Sequence, residues 1–208
     1  MSSQPNLRPL GFTDQLFPAG SHICQIYSDD EERQASLLGF LESGLNNGEK
    51  AACFSNKTDD ASLAKHFQAH GLSLAQLIAS KALTKAGTSE AYLQNGRFEP
   101  EHMLGLLRQF YVDSVSEGFT AARVIGEMIP EVLSLHGGNR LMEYESRVSL
   151  LMREYPVTAV CQYNANVFDG ATIMQVLRVH PLMVIRGVVV HNPYFIPPEE
   201  YLKQFLIQ

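Results

Sequence analysis

The chain has 208 residues, 45% of them hydrophobic and 18% charged, which suits one globular domain with a sizeable core. Its net charge is −6, and its 16 Lys and Arg residues stand singly, so no basic run is available to hold a phosphate backbone. No apolar stretch nears the roughly 20 residues that span a bilayer, and the first residues lack the basic start and apolar middle of a signal peptide. A cytoplasmic protein without direct nucleic-acid or membrane contact is expected.

Residues 1–20 are polar and broken by Pro5, Pro9, Pro18 and Gly20, and read as an extended arm or edge segment. The first strand is His22 to Tyr27, with His22, Cys24 and Ile26 on one face and Ile23, Gln25 and Tyr27 on the other. Ser28 and Glu31 form a capping-box signature with Ser28 at the cap. The helix that follows carries Leu37, Phe40, Leu41, Gly44 and Leu45 on one face and ends at the turn Asn46-Asn47-Gly48. Lys50 to Ser55 is a second strand, apolar in its middle as buried parallel strands are. A helix from about Thr58 to His70 turns Leu63 and Phe67 inward, and a short turn spans Ser73 to Ile78. Lys81 to Lys85 reads as a third strand, and Ala91 to Phe98 as a loop whose Tyr92 and Phe98 line a cavity or cover the core.

Pro100 opens a helix that Gly118 ends, and Ala121 to Glu127 is the fourth strand. After the turn at His136-Gly-Gly-Asn139, a helix from Arg140 to Tyr155 has Leu141, Tyr144, Val148 and Leu151 as its inner stripe; Glu143 and Arg147, four apart, can pair on its surface. The stretch from Tyr155 to Gly187 holds a strand through Cys161 and Asn164, a helix opened by Asp169-Gly170 and stopped at His180-Pro181, and the strand Leu182 to Ile185. That is a βαβ unit. Gly187 to His191 continues as a strand or hairpin partner, and Glu199 to Phe205 closes the chain as a helix. The alternation predicts a three-layer α/β domain, a mostly parallel sheet of the RecA-like or Rossmann-like class. In such sheets ligands bind at the carboxyl edge, where Cys161, Gln162, Tyr163 and Asn164 are expected.

The usual catalytic signatures are missing. A RecA-type NTPase carries GxxxxGK[ST] after its first strand, whereas Asp29, Asp30, Glu31 and Glu32 here put four carboxylates where a phosphate would sit. No GxGxxG follows a strand, and there is no GxSxG elbow or HExxH. Glu127 holds the place of a metal-holding acid, with no Lys-bearing loop to serve; its charge satisfied by neighbouring amides is the plainer reading. Cys24, Cys53 and Cys161 are an odd number without a CxxC pair and read as reduced thiols in strands. A metal or heme site would gather His22, Cys24, Cys161 and His180, but buried cysteine usually acts as a small hydrophobe and His180 serves equally as a helix terminator. Tyr27, Tyr144 and Tyr163 fill a core or offer ligand-lining hydroxyls. No cofactor is predicted.

Five motifs in order carry a resemblance over about residues 20–202. They are His22-Ile-Cys-Gln-Ile-Tyr-Ser-Asp-Asp-Glu-Glu, Ala121-Ala-Arg-Val-Ile-Gly-Glu-Met, Leu141-Met-Glu-Tyr-Glu-Ser-Arg, Cys161-Gln-Tyr-Asn with His180-Pro181, and Asn192-Pro-Tyr-Phe-Ile-Pro-Pro-Glu-Glu. Together they resemble the MEDS domain, the sensory domain of methanogen and methylotroph regulators. The resemblance implies a RecA-like core without a phosphate loop, working in prokaryotic signal transduction and binding simple hydrocarbon derivatives. Its pocket candidates, by motif, are His22, Tyr27, Glu127, Glu143, Cys161, Tyr163 and His180. It implies a single sensory domain over residues 21–208 after the arm. With no DNA-binding or kinase module read in the chain, it also implies either a protein partner in a transcription-regulator or kinase pathway or an output module outside this chain. A homodimer fits such a module without a residue-level argument for it. Two alternatives stay open: an interaction adaptor indifferent to small molecules, and an enzyme using Cys161 or Glu127.

Overall fold

Seven parallel-leaning strands and the helices that cover them account for most of the computed structural model, which describes residues 6–93 and 96–205. The strands are β3 (His22–Tyr27), β4 (Lys50–Phe54), β5 (Leu83–Ala86), β6 (Ala122–Glu127), β7 (Val157–Asn164), β8 (Leu182–Ile185) and β9 (Val188–His191), preceded by β1 (Leu7–Pro9) and β2 (Leu16–Pro18). The sheet order is β5-β4-β6-β7-β3-β8-β9. All neighbours run parallel except β9, which returns antiparallel to β8 through a tight turn with Arg186 and Gly187 at positive φ. The central strands are buried on both faces, which is why their sequences are nearly continuous apolar runs.

The helices are α1 (Asp30–Asn46), α2 (Asp60–Ala69), α3 (Leu74–Ala79), α4 (Thr88–Tyr92), α5 (Pro100–Ser116), α6 (Glu131–Ser134), α7 (Leu141–Glu154), α8 (Gly170–Val179) and α9 (Pro198–Tyr201). One apolar layer joins Phe40 and Leu41 of α1 and Phe67 of α2 to Ile23, Ile125 and Val160 of the sheet. The opposite layer joins Leu107 of α5, Tyr144 and Val148 of α7 and Val176 of α8 to Cys24, Ala159 and Tyr163.

Several boundaries differ from the sequence expectation, each for a local reason. Asp29, not Ser28, caps α1, accepting from the Glu31 N–H at 2.9 Å, while the Ser28 carbonyl is taken by the Asn166 side chain. Lys81 adopts φ +59° and ends the α3 turn, so β5 starts at Leu83. The segment read as a loop from Ala91 overlaps α4, whose Tyr92 is buried against Gly126; Gln94 and Asn95 lie outside the described residues. The final helix is α9 followed by a 3-10 turn, Leu202–Phe205. Within residues 1–20, expected to be an extended arm or edge segment, Leu7–Pro9 and Leu16–Pro18 pair as the β1–β2 hairpin, with Leu10 between them fully buried. Gly11 and Gly39 let the hairpin backbone meet α1 directly, since a Cβ on Gly11 would lie 2.0 Å from the Gly39 carbonyl oxygen.

A buried ion pair ties these parts together. Arg123 of β6 makes two 2.7 Å bonds to Glu49, both side chains fully buried, and donates further to the Phe40 and Pro9 carbonyls. It fills the space beside Gly44 of α1, where a Cβ would lie 2.2 Å from its Nε.

Candidate functional site

The seven residues singled out by the sequence fall in three places. Four of them, His22, Cys161, Tyr163 and His180, meet in the layer between the sheet and α7 and α8, around a residue the sequence reading missed, Glu145. His22 starts β3 and Cys161 is opposite Cys24 in the β3–β7 register, so both point into this layer. His180 follows the last turn of α8. One oxygen of Glu145 lies 3.3 Å from His22 Nε2, 3.6 Å from His180 Nε2 and 3.7 Å from Cys161 Sγ; the other accepts from the Tyr163 hydroxyl at 2.6 Å. Cys161 Sγ is also 3.6 Å from His22 Nε2, and the two imidazole rings stand 4.2 Å apart. Cys24, gathered with the histidines on sequence grounds, is on the same face but outside this group; Glu145 stands in its stead.

The outer nitrogens are anchored. His22 Nδ1 is 2.9 Å from Ser149 Oγ, and His180 Nδ1 donates to the Val176 carbonyl at 2.8 Å. That bond leaves His180 Nε2 as a bare acceptor, buried without a hydrogen-bond partner among the described residues. Burial and the neighbouring His22 push the His180 pKa down to about 4. Burial opposes ionisation of Glu145, but the His22 contact, the two imidazoles and the Tyr163 hydroxyl outweigh it and hold the carboxyl below its ordinary range. Burial, then the Glu145 charge, raises the Cys161 thiol well above its ordinary pKa.

Tyr27 and Glu127 form a second centre, on the other face at the carboxyl edge. Glu127 accepts from Tyr27 at 2.6 Å and from Ser55 at 3.2 Å, and Lys57 Nζ lies 3.0 Å from it. Side chains, not the backbone amides expected, satisfy this carboxylate. Lys57 also reaches Tyr27 at 3.1 Å and Asp30 at 3.7 Å. An acid–lysine network thus stands at this end of β3 and β6, with its lysine coming from the loop after β4.

Glu143 stands apart from both. It pairs with Arg140 and Arg147 at 2.7 Å each, as its spacing to Arg147 predicts, and faces away from Glu145. A further group, Glu42, His66 and His70, is held on the surface, with His66 Nε2 2.8 Å from Glu42.

Two clefts border these centres. The larger, about 710 Å³, is lined by Thr58, Asp59, Asp60, Lys81, Lys85 and Glu90 among others, at the carboxyl edge. The smaller, about 470 Å³, is mostly apolar, lined by Leu16, Phe17, Pro18, Pro181 and Leu182 with Ser149, His191 and His22. It lies at the opposite, amino-terminal edge, and His22 links it to the buried cluster.

A mostly parallel seven-stranded sheet with this order, covered by helices on both faces, defines a RecA-like fold. Two solved structures share the fold. The flagellar accessory protein FlaH of Methanocaldococcus jannaschii matches with a TM-score of 0.61 at 12% identity, over 89% of this chain and 84% of its own. The KaiC-like protein PH0186 of Pyrococcus horikoshii OT3 matches with a TM-score of 0.54 at 13% identity, over 80% of this chain and 71% of its own. The chain belongs to the MEDS family, the MEthanogen/methylotroph, DcmR Sensory domain, which matches residues 21–181. The transcriptional repressor DcmR of Methylorubrum extorquens (strain DSM 6343 / CIP 106787 / DM4) is 25% identical over 163 residues, 76% of this chain and 57% of the repressor. The chain thus spans little more than half the length of that relative. The family is described as a sensory domain, and the relative is named a transcriptional repressor. Among the described residues no helix is long and apolar enough to cross a membrane.

Proposed function

We propose that the domain senses a small, largely apolar molecule of the hydrocarbon-derivative class, bound in the cleft over His22, and passes its occupancy to a protein partner in a transcription-regulator or kinase pathway. The observation that carries this reading is the cleft itself: it is apolar, and its floor is a histidine whose two nitrogens both contact α7, through Ser149 and Glu145. The cleft at the carboxyl edge, where the sequence suggests looking, mixes charged side chains such as Asp60, Lys81 and Lys85 with Ile78 and Leu83, and so suits an apolar guest less well. A guest pressing on His22 would bias α7, which packs on α5, α8 and α9. Sensing then requires that the guest prefer one of two α7 positions.

The test is a thermal-shift and ligand-observed NMR screen of short alcohols, methylamines and halogenated hydrocarbons. Leu16 is 54% exposed at the cleft wall, so Leu16→Glu adds a charge there without disturbing the core. It is expected to weaken binding by about tenfold or more. Binding unchanged in Leu16→Glu moves the guest elsewhere, and partner capture indifferent to every compound returns the adaptor reading.

A further inference from the structure

The group of His22, Glu145, Cys161 and His180 is built as more than a set of buried hydrogen bonds. From these residues we propose a site for one divalent transition metal of the zinc type, held by His22 Nε2, His180 Nε2, a Glu145 oxygen and Cys161 Sγ. The proposal stands independently of the organic guest.

Three observations carry it. The first is spacing. Tetrahedral zinc, with bonds of about 2.0–2.1 Å to nitrogen or oxygen and about 2.3 Å to sulfur, sets its ligand atoms about 3.3 Å apart, and about 3.6 Å where one is sulfur. Here His22 to Glu145 is 3.3 Å, His22 to Cys161 3.6 Å, Cys161 to Glu145 3.7 Å and His180 to Glu145 3.6 Å. All four ligand atoms lie within 4.8 Å of one another.

The second is orientation from behind. Ser149 holds His22 Nδ1, the Val176 carbonyl holds His180 Nδ1, and Tyr163 holds the second Glu145 oxygen. Outer-shell bonds of this kind fix the tautomer and aim the opposite nitrogen, as at metal-ligating histidines. The third is an unanswered acceptor. His180 Nε2 is fully buried, lacks a hydrogen-bond partner among the described residues, and faces a carboxylate oxygen, so acceptor looks at acceptor. A cation between them turns that cost into attraction. The charges also close: a dication with one carboxylate, one thiolate and two neutral imidazoles is neutral overall, which suits a dry interior. The thiol proton leaves to solvent as the metal enters. Imidazole and thiolate favour zinc, iron or copper over magnesium or calcium.

The experiment removes metal with a chelator and returns one equivalent of cobalt(II) to the full chain. Expected are bound metal at one per chain by elemental analysis, tetrahedral visible bands and a near-ultraviolet thiolate-to-cobalt charge-transfer band. Cys161→Ser should lose the charge-transfer band. His180→Gln should weaken binding by more than the 10- to 100-fold typical of losing an outer-shell partner. Glu143→Gln, two residues from Glu145 but directed at the arginines, should match the wild type. Each variant's fold is checked by circular dichroism, and a zinc-dependent rise in wild-type melting temperature is read alongside. A wild-type protein that takes up no metal, or a folded Cys161→Ser with an unaltered spectrum and affinity, overturns the assignment.

Discussion

Tyr27 and Glu127 are joined by a 2.6 Å hydrogen bond although they end two strands, β3 and β6, that are separated in the sheet by β7. Their side chains bridge the carboxyl edge over the intervening strand, and Lys57 seals the bridge from above. Tyr27→Phe removes the donor and leaves the carboxylate with Ser55 and Lys57, so a loss of about 1.5–3 kcal/mol is expected in urea titrations near neutral pH. Burial, then Glu127, raises the Tyr27 pKa from 10.0 to about 12 in the folded chain. The folded state therefore favours the protonated phenol. Its stabilisation is complete below pH 10 and fades as pH rises towards about 12. Wild type and Tyr27→Phe should converge over that interval; a gap that stays constant refutes the assigned bond.

The same network should disfavour nucleotide binding. Asp29 is spent on the α1 cap, Asp30 pairs with Arg33 at 2.7 Å, and Lys57 is committed to Glu127. Magnesium-ATP at millimolar concentration should leave the melting temperature unchanged, and calorimetry should show no saturable heat.

Metal-free protein should lose stability in mild acid. The folded pKa of His180 is lowered to about 4 from 6.5, so the unfolded chain binds the extra proton first. The stabilising difference is present above pH 6.5 and is lost as pH falls towards about 4. Glu145, His22, Cys161 and Tyr163 all face this imidazole group, so His180→Gln should flatten the slope rather than abolish it. Chemical denaturation at a series of pH values reads the difference directly.

Cys161 should resist iodoacetamide near neutral pH. Burial and Glu145 keep it a thiol, and the thiolate is the reactive form. Labelling followed by peptide mass spectrometry should track global unfolding. Fast labelling in the native protein would restore the thiol-nucleophile enzyme reading.

The strand–helix alternation was readable because buried parallel strands such as Ala51-Ala-Cys-Phe54 leave continuous apolar runs, and glycine or proline marks the breaks. The site was readable only in part. His22, Cys161, Tyr163 and His180 announced themselves by residue type, yet their centre did not. Glu145 lies on α7 next to Tyr144, four residues after Leu141 and before Ser149, at core spacing that is normally apolar. Glu143 attracted notice instead, but two residues along a helix is a turn of about 200°, which sends it to Arg140 and Arg147. Lys57 was invisible for another reason: it reaches the β3 edge from a loop after β4, a contact that only the sheet order creates.

Arg123 and Gly44 have a consequence for sequence drift in this family. The guanidinium occupies the volume a side chain at position 44 would need, and Glu49, Phe40 and Pro9 hold it there. Neither position is free to vary alone: alanine at 44 collides with the arginine, and a short apolar residue at 123 strands Glu49 without a counter-charge. Relatives that have abandoned the glycine should have abandoned the arginine and the glutamate with it, the three positions changing as one inherited unit.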